Sequence, residues 1–238
     1  MADLLSLTTL MICFLTILTA VRFFGKSGLF AYSTVAVIIS NVQVLKLTKY
    51  SMVDNPVALG TVVFSTLFAV DNILTEYYGT KTARKCVWMS FAYYLFFTSV
   101  MNVAVIHPIV AESNCVNLHQ ELKSIFSPCF VLFVSSLASY IVSQLVDIFV
   151  FSTLKKKMNG KYISLRSFVS MSFSTFVDNF VFSLLAWVIF AKNSISMTSL
   201  WETYIFTTFI IRLIVAALCV PLVKLCGAVI LKKEKDNV

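Results

Sequence analysis

The sequence predicts an all-α fold: a polytopic transmembrane helix bundle with six or seven spanning helices, the N-terminus outside and the C-terminus cytoplasmic. Three observations predict it. Of 238 residues, 59% are hydrophobic and 13% charged, with a mean hydropathy of +0.89, whereas a soluble domain is about 45–50% apolar and about a quarter charged. The few charges gather between apolar runs, each near the ~20 residues a spanning helix needs. The basic residues fall unequally on alternate connections, the pattern that sets membrane orientation. Little sequence lies outside the runs, so residues 1–238 are read as a single integral membrane domain.

Seven runs are expected to span, at 4–24, 28–48, 56–77, 86–108, 126–153, 165–191 and 200–231. The first has no Lys or Arg before Arg22 and no small-residue cleavage signature, so it reads as a span rather than a cleaved leader. The last covers 32 residues, which predicts a tilt or a bend near Pro221, where a backbone donor is missing. A barrel would need short alternating segments, and open strand edges are excluded from lipid. Arg22, Lys26, Lys81, Arg84, Lys85, Lys155, Lys156, Lys157, Lys161, Arg166, Lys232, Lys233 and Lys235 fall on one side, against Lys46, Lys49, Lys123 and Lys192 on the other. The richer side is cytoplasmic by the positive-inside rule. The net charge of +8 is thereby a topology signal or a contact with lipid headgroups, and no nucleic-acid partner is expected.

Six cysteines show no C-x-x-C or Cys/His ligand spacing, and the two histidines form no H-E-x-x-H. No metal, cofactor or catalytic residue is therefore expected. There is no G-x-x-x-x-G-K-[ST], so any use of ATP would come from a partner chain.

Two apolar runs carry an aspartate in the same setting. SQLVDIFVFSTL begins at Ser143 and STFVDNFVFSLL at Ser174; aligned at an offset of 31, residues 136–154 and 167–185 share 10 of 19 positions. Ser136, Ser139, Ser143 and Asp147 step by 3, 4 and 4, as do Ser167, Ser170, Ser174 and Asp178, so each set occupies one helical face. Serines at such spacing allow close helix packing. A carboxylate within a span costs roughly 2.5–3.5 kcal/mol on insertion scales, so each aspartate should face the bundle interior, a partner or a water-filled cavity. The two are expected to face one another, or one shared cavity, from antiparallel helices.

Other runs hold matching polar residues. The second has Asn41, Gln43 and Lys46 near its outer end, the third has Asp71, Asn72 and Glu76, and the seventh has Arg212. Asn72 and Glu76 share a face. Lys46 and Arg212 are candidates to neutralise two of the four carboxylates. Together the set reads as a polar cavity inside a helix bundle, which points to transport. Acids and amides suit a ligand rich in N–H donors and carbonyl acceptors, such as a guanine-like edge, and aromatic rings supply stacking faces. Trp88, Trp187 and Trp201 read equally well as interface anchors.

The runs NVQVLKLT, DNILTEYYGTKTARKCVWMSF and SQLVDIFVFSTLKKK, with a second S-x-x-V-D beyond, resemble the queuosine precursor transporter family, also described as a vitamin-uptake-like group. The resemblance runs from Asn41 to Pro221 and is most specific at Asp71, Thr75, Glu76, Tyr78, Gly79, Ala83, Arg84 and Trp88. It implies uptake of 7-deazaguanine nucleobases, queuine among them, across the bacterial cell inner membrane for tRNA modification. It adds Gln144 and Asn179 to the candidate substrate-binding residues, beside Asn41, Gln43, Lys46, Asp71, Asn72, Glu76, Asp147, Asp178 and Arg212. The chain departs from the family pattern at Thr175, where a glutamine is usual, at Asn179, in place of a hydroxyl residue, and at Arg212, in place of lysine. Gly79 should close the third span with a left-handed cap. Arg84 is a candidate gating residue, locking Glu76 or Asp147 near the cytoplasmic face. The expected partners are the nucleobase, the lipid bilayer and, as an open alternative, further copies of the chain. The rival function is a substrate-binding membrane subunit of an ATP-driven vitamin-type importer.

Overall fold

The computed structural model describes residues 1–53, 55–108, 113–126, 130–190, 201 and 205–236. The described chain is helical almost throughout: α1 (Ala2–Phe24), α2 (Lys26–Gln43), α3 (Thr61–Tyr77), α4 (Thr80–Ile106), α5 (Ser113–Phe126), α6 (Phe130–Lys157), α7 (Ile163–Leu184) and α8 (Phe206–Asp236). One π-helical turn, Leu185–Ile189, extends α7. The single departure from all-α is a two-residue antiparallel ladder, β1 (Leu47–Thr48) on β2 (Val57–Ala58), in the α2–α3 connection.

Seven long helices thus correspond to the seven expected runs, with shifted ends. The third run starts later than 56 because Val57 and Ala58 pair with Thr48 and Leu47. The fourth starts earlier, since Lys81, Arg84 and Lys85 belong to the first turns of α4 rather than to a loop. The short α5 went unforeseen; its sequence is too polar for a span and lacks start and stop signals. Lys192 and most of 200–204 lie outside the described residues.

Among the described residues, five helices are long and apolar enough to cross a membrane: α1, α4, α6, α7 with its π turn, and α8. The two that fall short, α2 and α3, have 18 and 17 residues. Position explains the polarity of α3, which is buried at every residue from Thr61 to Thr75 and touches α1, α2, α4, α6, α7 and α8. A helix enclosed by other helices can carry Asp71, Asn72 and Glu76 without presenting them to lipid. The outer helices do the reverse. On α1, Leu10, Cys13, Ile17 and Val21 face the core at steps of 3 and 4, while Leu5, Ile12, Leu15 and Phe23 point outward. Such an apolar exterior suits a hydrocarbon solvent and would be an aggregation surface in water.

Two glycines are dictated by geometry. Gly79 joins α3 to α4 with φ 86° and ψ 157°. The positive φ agrees with a glycine signal, but the conformation is the extended mirror-image region rather than the expected left-handed cap, and it is one that only glycine visits readily. Gly60, just before α3, has ordinary helical angles but lies against α2, where a Cβ would sit 2.1 Å from the Ser40 carbonyl oxygen. Backbone cannot retreat as a side-chain tip can. Gly60→Ala is therefore expected to destabilise the protein by about 1–3 kcal/mol, the usual cost of overpacking, read as a lowered melting temperature in detergent.

Candidate functional site

Between the ends of the helices remote from the basic cluster lies a cavity of about 890 Å³. Its walls include aromatic rings, with Phe64 from α3, Tyr94 and Phe97 from α4, Phe133 from α6, and Phe182 and Trp187 from the end of α7. Trp187 lies within the π turn, whose extra residue re-aims the side chains that follow. Asn41, Ser136, Ser139, Asp178, Asn179 and Arg212 are among the polar residues that line it.

The charged centre of this cavity is an ion pair. Arg212 of α8 donates from its terminal nitrogen to Oδ2 of Asp178, while Oδ1 accepts from Ser143 Oγ at 3.1 Å. The Arg212 guanidinium lies 5.2 Å from the Phe64 ring centroid, a cation–π distance. Its Nε is buried and has no hydrogen-bond partner. Asn179 donates to the Ile205 carbonyl at 2.8 Å, and Asn41 donates to the Val37 carbonyl at 2.8 Å while accepting from Ser136 Oγ.

Below the cavity a polar column follows steps of four residues along three helices. On α7 it runs Asp178, Ser174, Ser170, Arg166; on α6, Ser143, Asp147, Phe151, Lys155; on α3, Phe64, Phe68, Asn72, Glu76. Asn72 and Ser170 exchange hydrogen bonds at 3.1 and 3.2 Å. At the basic end Arg166 grips Glu76 with two nitrogens at 3.0 and 3.2 Å, and Lys155 Nζ adds a third contact at 3.1 Å. Arg166 is wholly buried, stacks 5.0 Å from the Phe151 centroid, and donates to the carbonyls of Lys161 and Gly160 in the α6–α7 turn. At 1.5 Å per residue, the column from Asp178 to Arg166 is about 18 Å long.

The structure corrects several expectations. Of the expected substrate-binding residues, Asn41, Asp178, Asn179 and Arg212 line the cavity; Gln43, Lys46, Asp71, Asn72, Glu76, Gln144 and Asp147 do not. Lys46 is exposed in the turn after α2, where its carbonyl accepts from Leu59, and it pairs with no carboxylate among the described residues. Gln43, at the last turn of α2, does not line the cavity, and its Oε1 is buried without a hydrogen-bond partner. Arg84 is exposed on α4 and pairs with neither Glu76 nor Asp147; the cation on Glu76 is Arg166, which enters from the far side of the column. The two aspartates do not face one another either. Because α6 and α7 are antiparallel and their S-x-x-x-D motifs lie at one level, each serine meets the other motif's aspartate: Ser143 bonds Asp178, and Ser174 lies beside Asp147.

Sequence reasoning overlooked Arg166 and Lys155 as site residues and treated them as loop charges. Their signal was present, since each continues its aspartate's stripe at steps of four.

A helix bundle with five spanning-length apolar helices, an aromatic cavity and a buried polar column beneath it has the architecture of a membrane transporter. The comparisons agree. Residues 58–226 match the model of the family described as "Putative vitamin uptake transporter", and the chain belongs to that family. The protein named "Probable queuosine precursor transporter" of Bacillus subtilis (strain 168) is 28% identical over 210 residues, 87% of each chain. A protein of the same name from Haemophilus influenzae (strain ATCC 51907 / DSM 11121 / KW20 / Rd) is 26% identical over 175 residues, 73% of this chain and 70% of its own length. No solved structure matches the chain. The chain is a multi-pass membrane transporter and not an enzyme.

Proposed function

We propose that the protein imports 7-deazaguanine bases, the precursors of queuosine, across the bacterial inner membrane. The relatives' names supply the substrate class. The observation that carries the reading to this chain is the Asp178–Arg212 pair in an aromatic cavity. A guanine-like edge offers adjacent N–H donors beside a carbonyl. Asp178 accepts from the N–H groups, Arg212 donates to the carbonyl, and Phe64 or Trp187 covers the ring face. A volume of about 890 Å³ exceeds what a bare base needs and leaves room for a substituent on the deaza carbon.

In this reading all seven long helices span, α3 as a central helix sheathed by the others. The basic end is cytoplasmic, the cavity opens outward, and the Glu76–Arg166–Lys155 cluster closes the inner end. Transport then requires the cluster to part after substrate has engaged Asp178.

Uptake tests it. In cells lacking queuosine synthesis and their own uptake, with the downstream enzymes supplied, queuosine should appear in tRNA only when this protein is expressed. Queuine and the nitrile and aminomethyl 7-deazaguanines should be fed separately, and the base that works names the substrate. Absence of queuosine with all three, from protein shown to be in the membrane, would overturn the proposal.

A further inference from the structure

Below the cavity lie two carboxylates that neither the cavity nor the ion-pair cluster uses. Asp71 of α3 and Asp147 of α6 are buried, at 2% and 0% exposure, and are close enough to act on each other electrostatically. Both oxygens of Asp147 and Oδ2 of Asp71 have no hydrogen-bond partner. The cations nearby are committed elsewhere: Arg212 to Asp178, Arg166 and Lys155 to Glu76. Near Asp71 are Cys86 of α4 and Tyr140 of α6, neither of which brings a positive charge. From α7, Ser170 and Ser174 lie beside Asp147, and Ser174 Oγ is itself buried and unpartnered. Thr75, one turn along α3 from Asp71, is also buried with an unpartnered hydroxyl.

Buried charges are normally paired or bound to ions, and buried hydroxyls normally bonded. Here two acids and two hydroxyls go unanswered along adjoining faces of three packed helices. The set is made of hard oxygen donors, which suit a small cation. It lies below Asp178 and above the ion-pair cluster, between the two ends of the substrate's path.

We propose that Asp71 and Asp147, with the hydroxyls of Thr75, Ser170 and Ser174, form an occluded site for a small cation, a proton or a sodium ion, whose binding and release drive transport. With the cation present the acids are neutralised and the helices pack closely. With it gone, two negative charges within the bundle favour rearrangement or the entry of water. Asp147 shares α6 with Ser143, one turn away, and Ser143 holds Asp178. Cation occupancy thereby reaches the substrate-binding pair through one hydrogen bond.

The site is separate from the cavity, and its test needs no substrate, so its failure would leave the transport reading standing. The full-length protein is purified in detergent and melted in sodium, potassium or choline chloride at equal ionic strength. Infrared spectra of the same samples are searched for the carbonyl band of a protonated carboxyl group. A rise of several degrees specific to sodium, lost in Asp147→Asn and Asp71→Asn, establishes a sodium site. A protonated-carboxyl band lost in Asp147→Asn, without a sodium effect, establishes a proton site. If either variant does not fold, Ser174→Ala decides: it should weaken the apparent sodium affinity about tenfold or shift the band. The proposal is overturned if wild-type protein shows neither signal, or if the signal persists in folded variants.

Discussion

Asp178→Ala is expected to abolish uptake while the protein still inserts in the membrane. Asp178 is the acceptor that the proposed base would engage, and hydrogen bonds to a charged group contribute about 1.5–3 kcal/mol each, so losing one weakens binding by about 10- to 100-fold. The substitution also strands Arg212, whose Nε already lacks a partner. Removing one member of a buried pair costs about 3–5 kcal/mol, so a lower melting temperature accompanies the loss. The Asp178→Ala, Arg212→Ala double variant separates the two effects, since removing both charges should restore stability but not uptake. Uptake at the wild-type rate in Asp178→Ala would show the pair to be structural only.

Arg166→Ala should produce the largest loss of stability of any single change at the basic end. The side chain is fully buried and makes two bonds to Glu76, two to carbonyls of the α6–α7 turn, and a stacking contact with Phe151. Its loss leaves Glu76 to Lys155 alone and is expected to cost about 3–5 kcal/mol, read by thermal melting. Arg166→Lys should be intermediate, because an ammonium keeps the charge but not the planar fork. Replacing both partners, as in Glu76→Leu with Arg166→Met, should recover most of the stability, since an apolar pair of similar volume often substitutes well. Uptake should not recover, because the closure would no longer part on cue. Recovery of uptake with stability would remove the cluster from the transport cycle.

The membrane class, the number of long helices and the positions of their apolar runs were legible because a bilayer imposes length and polarity directly on the sequence. The ends were less so. Charge in α3, and basic residues at the start of α4, were read against a lipid neighbour when their neighbours are other helices or the polar boundary. The site was legible in part. Asp178 and Arg212 stood out as charges within apolar runs, and both line the cavity. Asp147 and Asp71 stood out for the same reason but occupy the column below, a difference of one helical turn that no pattern along a single segment carries. Lys46 and Arg84 are exposed and lie outside the cavity, which a charge read along a single segment does not reveal. The aromatic walls were unreadable among 22 phenylalanines and 9 tyrosines, most of which serve packing or lipid contact. Trp187 belongs to those walls although a tryptophan near a helix end usually anchors an interface.

The crossed pairing of the two S-x-x-x-D motifs also limits how the molecule can move. If α6 slid along α7 by one turn, about 5.4 Å, in one direction Asp147 would come level with Asp178, setting like charges face to face. In the other direction Ser143 would meet Ser174, but Ser139 would come level with Asp178 and Ser170 with Asp147, so each aspartate would keep a serine beside it. That slide is opposed instead by the short turn between Lys157 and Ile163, whose carbonyls at Gly160 and Lys161 accept from Arg166, so the α6–α7 hairpin travels as a rigid arm. Shear is left to its borders with α3 and α8, which are latched at opposite ends by Glu76–Arg166 and Asp178–Arg212. Opening one latch while the other holds would swing the arm about the closed one, and alternating the two would turn a fixed pair of helices into a rocker.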